Sequence, residues 1–566
     1  MAIIGIDLGT TNSLVSVFKD GKSILIPNQF GEVLTPSVVS VENGKVVVGK
    51  IAKERLITHT ENTVAAFKVF MGSDKIYHID AHDYTPIELS AMIIKQLVED
   101  AKNYLQEDIQ EAVISVPAYF NDMKRVATKQ AGELAGIKVD RIINEPSAAA
   151  LSARIHQSNF ETLLVFDLGG GTLDVSIVDC FEDVVEIIAI SGDNHLGGED
   201  FNRTIEDYFI TTYSIPPLSQ KDRSILLRNI EEMKKELSEK ESSERRIYLS
   251  SGMCHAYLSR DILLKICEKL LFRMKSVIKK ALVDAHLNVS DIERLIMVGG
   301  SSRLIVVQEY LEYLFHKQPE VDEQVDYLVG LGCGYVAGIK ERNEDIKDKV
   351  LTDICPFSLG IDTYNYGSKD LLYSIIIERN TTLPCSCHEL YTTIRHGQKK
   401  VEFKIYQGED VIAKNNHCLG EMSINVPKNV AGAECIDVCF TYDINGILDV
   451  EVTSLSTQEK IHSVFTSHEN ILSQEEIEVK LKELEQLKKK EEDLELIYLY
   501  EKACRIFQES VGEKRKDAGI IIEEINRLKK AKKMIELTKS KRNIMKKLEQ
   551  LDTQSPFIYE EEGLIN

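Results

Sequence analysis

No apolar run in this 566-residue sequence approaches the roughly 18–20 residues that a membrane-spanning helix requires. The opening MAIIGIDLGTTNS has no basic leader and no cleavage site, and Asp7 interrupts its only apolar stretch. Positive charge is scarce: 68 Lys and Arg face 90 Asp and Glu, a net charge of −22. That excess disfavours nonspecific binding to nucleic acid or an anionic membrane and favours solubility. The 11 cysteines lack regular spacing, and an odd number in a large chain points to free thiols in a reducing compartment. A cytoplasmic protein with neither nucleic-acid nor membrane partners is the expectation. Two common nucleotide signatures are also missing: there is no GxxxxGK(S/T), and no GxGxxG follows an early strand.

Apolar residues are plentiful, at 43%, in a chain too long for one core. Residues 1–345 alternate short β-rich runs with helical stretches. The β-rich runs include Ile3–Ile6, Val113–Val116, Leu163–Phe166 and Leu295–Val298; the helical stretches include Ile87–Ala101 and Asp261–Ala285. The alternation predicts an α/β layered unit. Residues 346–353 read as a linker, since NEDIKDKVLTD (343–353) is charged and then briefly apolar, as in an exposed tether. Over 354–470 the texture changes to short strands. VEFKIYQ alternates apolar and polar residues and Asn445-Gly446 marks a tight turn, which predicts an antiparallel sandwich. Residues 471–555 are rich in Lys and Glu. There Ser473 and Glu476 have the form of a capping box, and Ile477, Leu481 and Leu484 recur at helical spacing. Gly512 and Gly519 are expected to bracket a break between helices, and 556–566 to form a flexible acidic tail.

The most informative feature is an internal repeat. DLGTTNS (Asp7–Ser13) returns as DLGGGTLD (Asp167–Asp174), each after an apolar strand. A strand ending in Asp-x-Gly and followed by a Gly/Thr turn aims backbone N–H groups and hydroxyls at one point, a nest suited to phosphate oxygens. A carboxylate beside a polyphosphate is repelled unless a cation lies between them. Asp7 and Asp167 therefore imply a Mg²⁺ held through water. One such turn is ordinary; two matched copies about 160 residues apart predict a duplicated α/β fold gripping one phosphate chain from both halves.

The paired turns resemble those of the actin, sugar-kinase and heat-shock-chaperone superfamily. VPAYFNDMKRVATKQAGELAG (Val116–Gly136) and RIINEPSAAAL (Arg141–Leu151) closely resemble signature stretches of DnaK-like 70-kDa heat-shock chaperones. LIMVGGSSR (Leu295–Arg303) is similar to that family's second adenosine-side motif, and DICPFSLG (Asp353–Gly360) resembles its HscC branch. The resemblance runs from residue 3 to about 550. It implies an α/β actin-like ATPase domain, duplicated in two lobes, followed by an antiparallel β-sandwich and an α-helical lid. The implied function is that of an ATP-dependent chaperone, which binds extended hydrophobic segments of unfolded polypeptides and couples their capture and release to hydrolysis and nucleotide exchange. ATP/ADP and Mg²⁺ are the implied cofactors, with K⁺ a further ion the family admits. A sugar or acetate kinase, or a filament-forming actin relative, would leave residues 350–566 without a use.

Roles carried over by the resemblance follow the chemistry of phosphoryl transfer, which needs positioning and charge compensation. Lys68 would orient the attacking water, Glu145 and Asp174 would organise the metal-water cluster, and Thr172 would face the γ-phosphate. Gly9, Thr10, Thr11 and Asn12 on one side, with Gly170, Gly171 and Thr172 on the other, would cradle the phosphates. Glu231, Lys234, Lys235 and Ser238 would flank the adenosine, and Gly300, Ser301, Ser302 and Arg303 would close its other side. Pro117 and Arg125 match the interdomain relay. Val350, Leu351 and Asp353 would couple the domains, with Val350 and Leu351 docking on the nucleotide domain when ATP is bound. Arg141, Asn144 and Asp353 match positions that receive a J-domain co-chaperone. The peptide pocket maps to Ile361, Tyr391, Val401 and Phe403, bridged by Tyr364 and Ile394; Ile405 reads as core filling. Val69 after Lys68 removes a cation common in the family, and Ile305 stands where a proline is usual. Short segments at Gly72–Thr85 and Lys240–Tyr257 leave the need for an exchange factor open. Cys385, Cys387 and His388 have no fourth ligand at zinc-like spacing nearby.

Overall fold

Strands covered on both faces read as near-continuous apolar runs, and Ile3–Asp7 and Glu161–Leu168 each occupy the interior of a sheet. The computed structural model describes residues 2–80, 82–154, 160–181, 184–321, 325–346, 349–364, 370–465, 494–510, 512–528 and 534–553. In the first sheet the order is Lys138–Asn144, Glu111–Val116, Ile3–Asp7, Asn12–Lys19, Lys22–Ile26. In the second it is Arg294–Val298, Glu161–Leu168, Leu173–Phe181, Val184–Asp193, Val350–Thr352. Each sheet uses the same device. A strand forms an antiparallel hairpin with its successor, and a later strand lies parallel on its other side. The Asp-x-Gly turns sit at the two hairpin tips, so the sequence repeat is a repeat of architecture. The copies diverge at one edge, where the place of Lys138–Asn144 is held in the second sheet by a single parallel bridge, Ile296 with Glu320.

The linker is not a free tether as its charge suggests, although the Val350 side chain stays exposed. Val350, Leu351 and Thr352 pair in parallel with Val184, Val185 and Glu186 at the open edge of the second sheet. Such an edge presents unpaired N–H and C=O groups, and a passing extended segment satisfies them. Ile346 before this strand and Asp353 after it are both buried.

Helix Pro86–Leu105 extends the predicted stretch and starts at a capping box between Thr85 and Glu88. The long helix expected at Asp261–Ala285 is instead two, Arg260–Ile266 and Glu268–Asp284, parted at Cys267, whose ψ of 4° leaves the helical region. The two short segments noted in the sequence are hairpins, Tyr77–Ile79 with His82–Tyr84 and Ser242–Leu249 with Gly252–Ser259.

Two four-stranded antiparallel sheets follow, as the period-two pattern requires. One contains Leu359–Thr363 and Lys400–Gln407, the other Cys435–Tyr442 and Leu448–Ser454, with Gly446 at φ 78° in the turn between the latter pair. Three helices, Leu494–Glu509, Gly512–Leu528 and Met534–Thr553, then share a small core around Leu499, Ile521 and Leu548. Gly519 does not bracket a break. It lies inside the second helix, where a Cβ would be 3.4 Å from the Phe507 ring, and the break precedes Gly512. Ser473, Glu476, Ile477, Leu481, Leu484 and the tail at 556–566 lie outside the described residues. Among the described residues no helix is long and apolar enough to cross a membrane.

Helix Leu328–Lys340 packs against helix Glu145–Arg154 and the first sheet through its glycines. A Cβ on Gly332 would come 2.0 Å from the Ala148 carbonyl oxygen, a backbone atom that cannot yield. Gly332→Ala is therefore expected to lower stability by about 1–3 kcal/mol, as overpacking does. Denaturant unfolding of the full chain checks this, and an unchanged midpoint would show that the two helices can part without cost.

Candidate functional site

A cleft of about 660 Å³ opens between the two hairpin tips. Gly9 and Gly170 are small because the loops turn tightly and touch. A Cβ on Gly9 would lie 2.0 Å from the Asn12 carbonyl oxygen, and one on Gly170 would lie 2.4 Å from Thr11 Oγ1 in the opposite loop. The first loop is braced by Ser13 and Ser37: Ser13 Oγ accepts from the Gly9 N–H at 3.1 Å, and Ser37 Oγ donates to the Gly9 carbonyl at 2.7 Å. The second is braced by the Gly169 N–H bonding to the Thr172 carbonyl at 3.0 Å. Thr10, Thr11, Asn12 and Thr172 line the cleft as expected. Gly171 does not line it. A Cβ there would meet Val69 at 2.7 Å, so the residue standing where the family carries a second cation packs beneath the loop.

Charge in the cleft floor is unbalanced. Lys68 is almost wholly buried, its Nζ 2.8 Å from Glu145 Oε1 and 5.6 Å from the Phe120 ring centroid. Around this pair stand Asp167 and Asp174, both buried, and Asp7, which is partly buried. Burial, with the negative charge of Glu145, pushes the carboxyls of Asp7 and Asp174 up to about 7 and that of Asp167 well above its ordinary value. Ser115 Oγ donates to Asp7 at 2.7 Å, and the Tyr119 N–H donates to Asp174 at 3.0 Å. Four carboxylates outnumber the ammonium of Lys68 and that of Lys124, which lies 4.9 Å from the Phe120 ring centroid, and leave the site short of positive charge. Its hard oxygen donors fit a hydrated Mg²⁺. Asp174 lies behind the cleft wall, in contact with Tyr119, and acts on the site from outside its lining.

On the opposite side, helix Gln220–Glu236 presents Glu231, Lys234 and Lys235, and Ser238 follows it. Lys234 Nζ is buried and bonds Asn202 Oδ1 at 2.9 Å; burial lowers its pKa. Glu231 is only partly buried; desolvation pushes its carboxyl up, yet Lys235 at 2.8 Å brings it down to about 2. Ser238 Oγ donates to the Arg303 carbonyl at 3.1 Å, which ties the two adenosine-side segments together. Gly300, Ser301 and Arg303 line the cleft, whereas Ser302 turns inward and bonds the Gly299 carbonyl at 2.6 Å. Sequence reasoning misses Lys53, Gly198, Glu199, Asn202 and Asp326, which also line it. The Gly197-Gly198 pair before helix Gly198–Thr212 is the signal that would have found three of these. Asp326 holds Arg303 through two bonds, at 3.0 and 3.2 Å.

From this floor a continuous set of contacts reaches the linker. Pro117 lines the cleft and begins the loop that carries Tyr119 to Asp174. Arg125, buried, donates to the Phe120 and Ala118 carbonyls at 3.1 Å each and to Asn144 Oδ1 at 2.5 Å. Asn144 donates in turn to Asp353 at 2.7 Å, and Ser147 to the same carboxylate at 3.1 Å. The sandwich docks beside this set. Tyr442 and Gln407 donate to Asp122 at 2.6 and 3.1 Å, and burial lifts its carboxyl to about 6. Arg141 donates to the Ile444 carbonyl at 3.0 Å. Arg379 bridges Asp284 and Glu409, each at 2.7 Å.

The expected peptide residues divide. Ile361 and Phe403 are buried in the sandwich core together with Ile405, because strand alternation sends all three inward. Tyr391 and Val401 are half-buried against that core, with Tyr391 Oη 2.9 Å from Ser374 Oγ. Tyr364 and Ile394 are exposed. Cys385 and Cys387 also pack against the core, while His388 points to the other face and meets Asp437 at 3.2 Å, so the three do not converge.

Members of the Hsp70 family bind ATP or ADP with Mg²⁺ and act as ATP-dependent chaperones. The model of that family, described as Hsp70 protein, matches residues 3–78 and 74–561, and the chain belongs to it.

Proposed function

We propose that the cleft hydrolyses ATP and that hydrolysis drives capture and release of extended apolar polypeptide segments. The observation that carries the reading is the floor itself, four carboxylates around one buried lysine beneath two facing glycine turns. Such a floor favours added positive charge, and a Mg²⁺–polyphosphate would supply the cation beneath loops whose N–H groups suit phosphate oxygens. When bound, Mg²⁺ neutralises charge on the transferring phosphoryl group. Asp7 and Asp167 would hold its waters. Lys68, held by Glu145, would position the attacking water and offset the developing charge, and Asp174 would fix the Tyr119 loop to the state of the site.

The division that best accounts for the layers is a nucleotide domain at 1–345, a linker at 346–353, a peptide-binding sandwich at 354–470 and a helical region beyond it. The pairing of Val350–Thr352 with the second sheet and the buried Asp353–Asn144–Arg125 set support a linker that reports the state of the cleft to the sandwich. Exposed Tyr364 and Ile394 and half-buried Val401 support a peptide site on the sheet that holds Lys400–Gln407. Its specificity would come from small apolar pockets and backbone bonding. Arg141, which reaches the surface beside the buried Asn144 and Asp353, supports a docking place for a J-domain co-chaperone, and DICPFSLG supports the HscC branch.

Three measurements test this reading. Lys68→Ala should bind MgATP nearly as tightly as the parent while single-turnover hydrolysis falls about 10²–10³-fold, the usual cost of one well-placed electrostatic contact. Hydrolysis within twofold of the parent removes Lys68 from the chemistry. Val401→Phe should weaken affinity for a fluorescent Leu-rich peptide about tenfold or more, since burying a leucine contributes about 1.5–3 kcal/mol. Unchanged affinity returns Val401 to core filling. The double variant Val350→Asp with Leu351→Asp should bind ATP and peptide separately yet lose both ATP-triggered peptide release and peptide-stimulated hydrolysis. A coupling of about 1–3 kcal/mol is reciprocal between two binding sites. Peptide release as fast as in the parent would leave the linker strand a tether only.

A further inference from the structure

Arg505, on helix Leu494–Glu509, is 1% exposed. A guanidinium so far from water needs acceptors on every side. Its Nε pairs with Glu54, its Nη1 bonds Glu509 at 2.7 Å, and its two Nη atoms clasp Asp552 at 3.0 and 2.7 Å. These acceptors belong to different elements. Glu54 is on helix Lys50–Thr58, while Asp552 is at the end of the last described helix, Met534–Thr553. Asp552 and Glu509 are shared with a second cation, Arg228, at 3.5 Å each. Arg228 lies on helix Gln220–Glu236.

The positions of the two outer partners give the network its meaning. Helix Lys50–Thr58 lends Lys53 to the nucleotide cleft, and helix Gln220–Glu236 lends Glu231, Lys234 and Lys235. They are the two rims of its mouth, one from each sheet's half. The rims already touch, with Ile57 buried in the hydrophobic core of the second half and Gln220 Nε2 donating to the Thr60 carbonyl at 3.2 Å. The C-terminal helices add a staple over that seam. On the first rim they hold by Arg55 with Glu501 at 2.9 Å and by Tyr498 beneath Lys50, 4.4 Å from its Nζ. On the second they hold by Arg228.

We propose that the C-terminal helices form an intramolecular clamp across the mouth of the cleft, which retains bound nucleotide while docked and must lift before nucleotide leaves. Parting the rims separates Glu54 from Arg228. Arg505 and Asp552, fixed on one helical bundle, cannot keep both contacts across a widened mouth. The clamp rests on the proposal that this cleft holds nucleotide.

Stopped-flow release of a fluorescent, non-hydrolysable ATP analogue from the full chain tests it. Arg228→Ala, which removes the second-rim foot without touching the cleft lining, should accelerate release at least about fivefold, and Glu54→Ala should do the same from the first rim. Glu232→Ala removes the pair that Arg228 makes within its own helix, at 3.8 Å, and should leave release unchanged. Release within twofold of the parent in both Arg228→Ala and Glu54→Ala overturns the clamp, as does acceleration by Glu232→Ala equal to that by Arg228→Ala. Hydrogen exchange without added nucleotide gives an independent readout. Arg228→Ala should raise exchange in helices Lys50–Thr58 and Leu494–Glu509 together, and no change there overturns the clamp as well. Failure of the parent chain to bind the analogue at all would count against the proposed function, and the exchange result would still decide the clamp.

Discussion

Lys68 and its ion pair with Glu145 sit where the rest of the molecule converges. A buried ammonium and a largely buried carboxylate attract strongly at 2.8 Å, but both lose hydration, and three further carboxylates, two of them buried, surround them. Such a cluster persists only because both hairpins, the Phe120 ring and the Ser115 hydroxyl hold it, and because each sheet supplies one aspartate at the end of a strand. The cost of assembling like charges is met by the cores on either side. A deficit of positive charge remains in the cleft floor.

Everything distal is tied to this floor by short, buried polar contacts in place of a long lever. Asp174 is joined through the Tyr119 loop to Arg125, Asn144 and Asp353, and hence to the strand that closes the second sheet. Because these groups are buried, each needs its partner, and a shift at one leaves another unsatisfied. That makes the set responsive to small displacements at the cleft. The sandwich is seated on the same surface by Asp122, Arg141 and Arg379, so the linker strand and the docked sandwich form one interface. The C-terminal helices contact the other side of the nucleotide half, at the rims, through Arg505 and its acceptors. Two appended regions thus hold the same unit at separate places.

Much of this was legible in the sequence because it is local. Apolar strands ending in Asp-x-Gly and the period-two alternation of VEFKIYQ depend on neighbours within a few residues, and those elements form where the pattern points. The repeated turn also revealed the duplication, since both copies obey the same steric demand for glycine where backbones meet. Candidate cleft residues came largely from segments of known form, and the structure brings most of them to one cavity. Those missed, such as Lys53 and Asp326, sit in stretches whose composition is that of ordinary solvated surface.

What the sequence by itself determined is the set of strands and turns, the charge imbalance and the positions at which only glycine fits. Pairing choices were left to the tertiary structure. Whether Val350–Thr352 hangs in water or closes a sheet depends on an unpaired edge over 150 residues earlier in the chain, at Val184–Glu186. Whether Ile361 and Phe403 face a ligand or a core depends on the opposing sheet that covers them. Whether Arg505 is a surface cation or the centre of a buried network depends on three carboxylates drawn from residues 54, 509 and 552. Contacts between residues far apart in the chain carry no local pattern, because the free energy that selects them is that of burial and partner satisfaction in the assembled molecule.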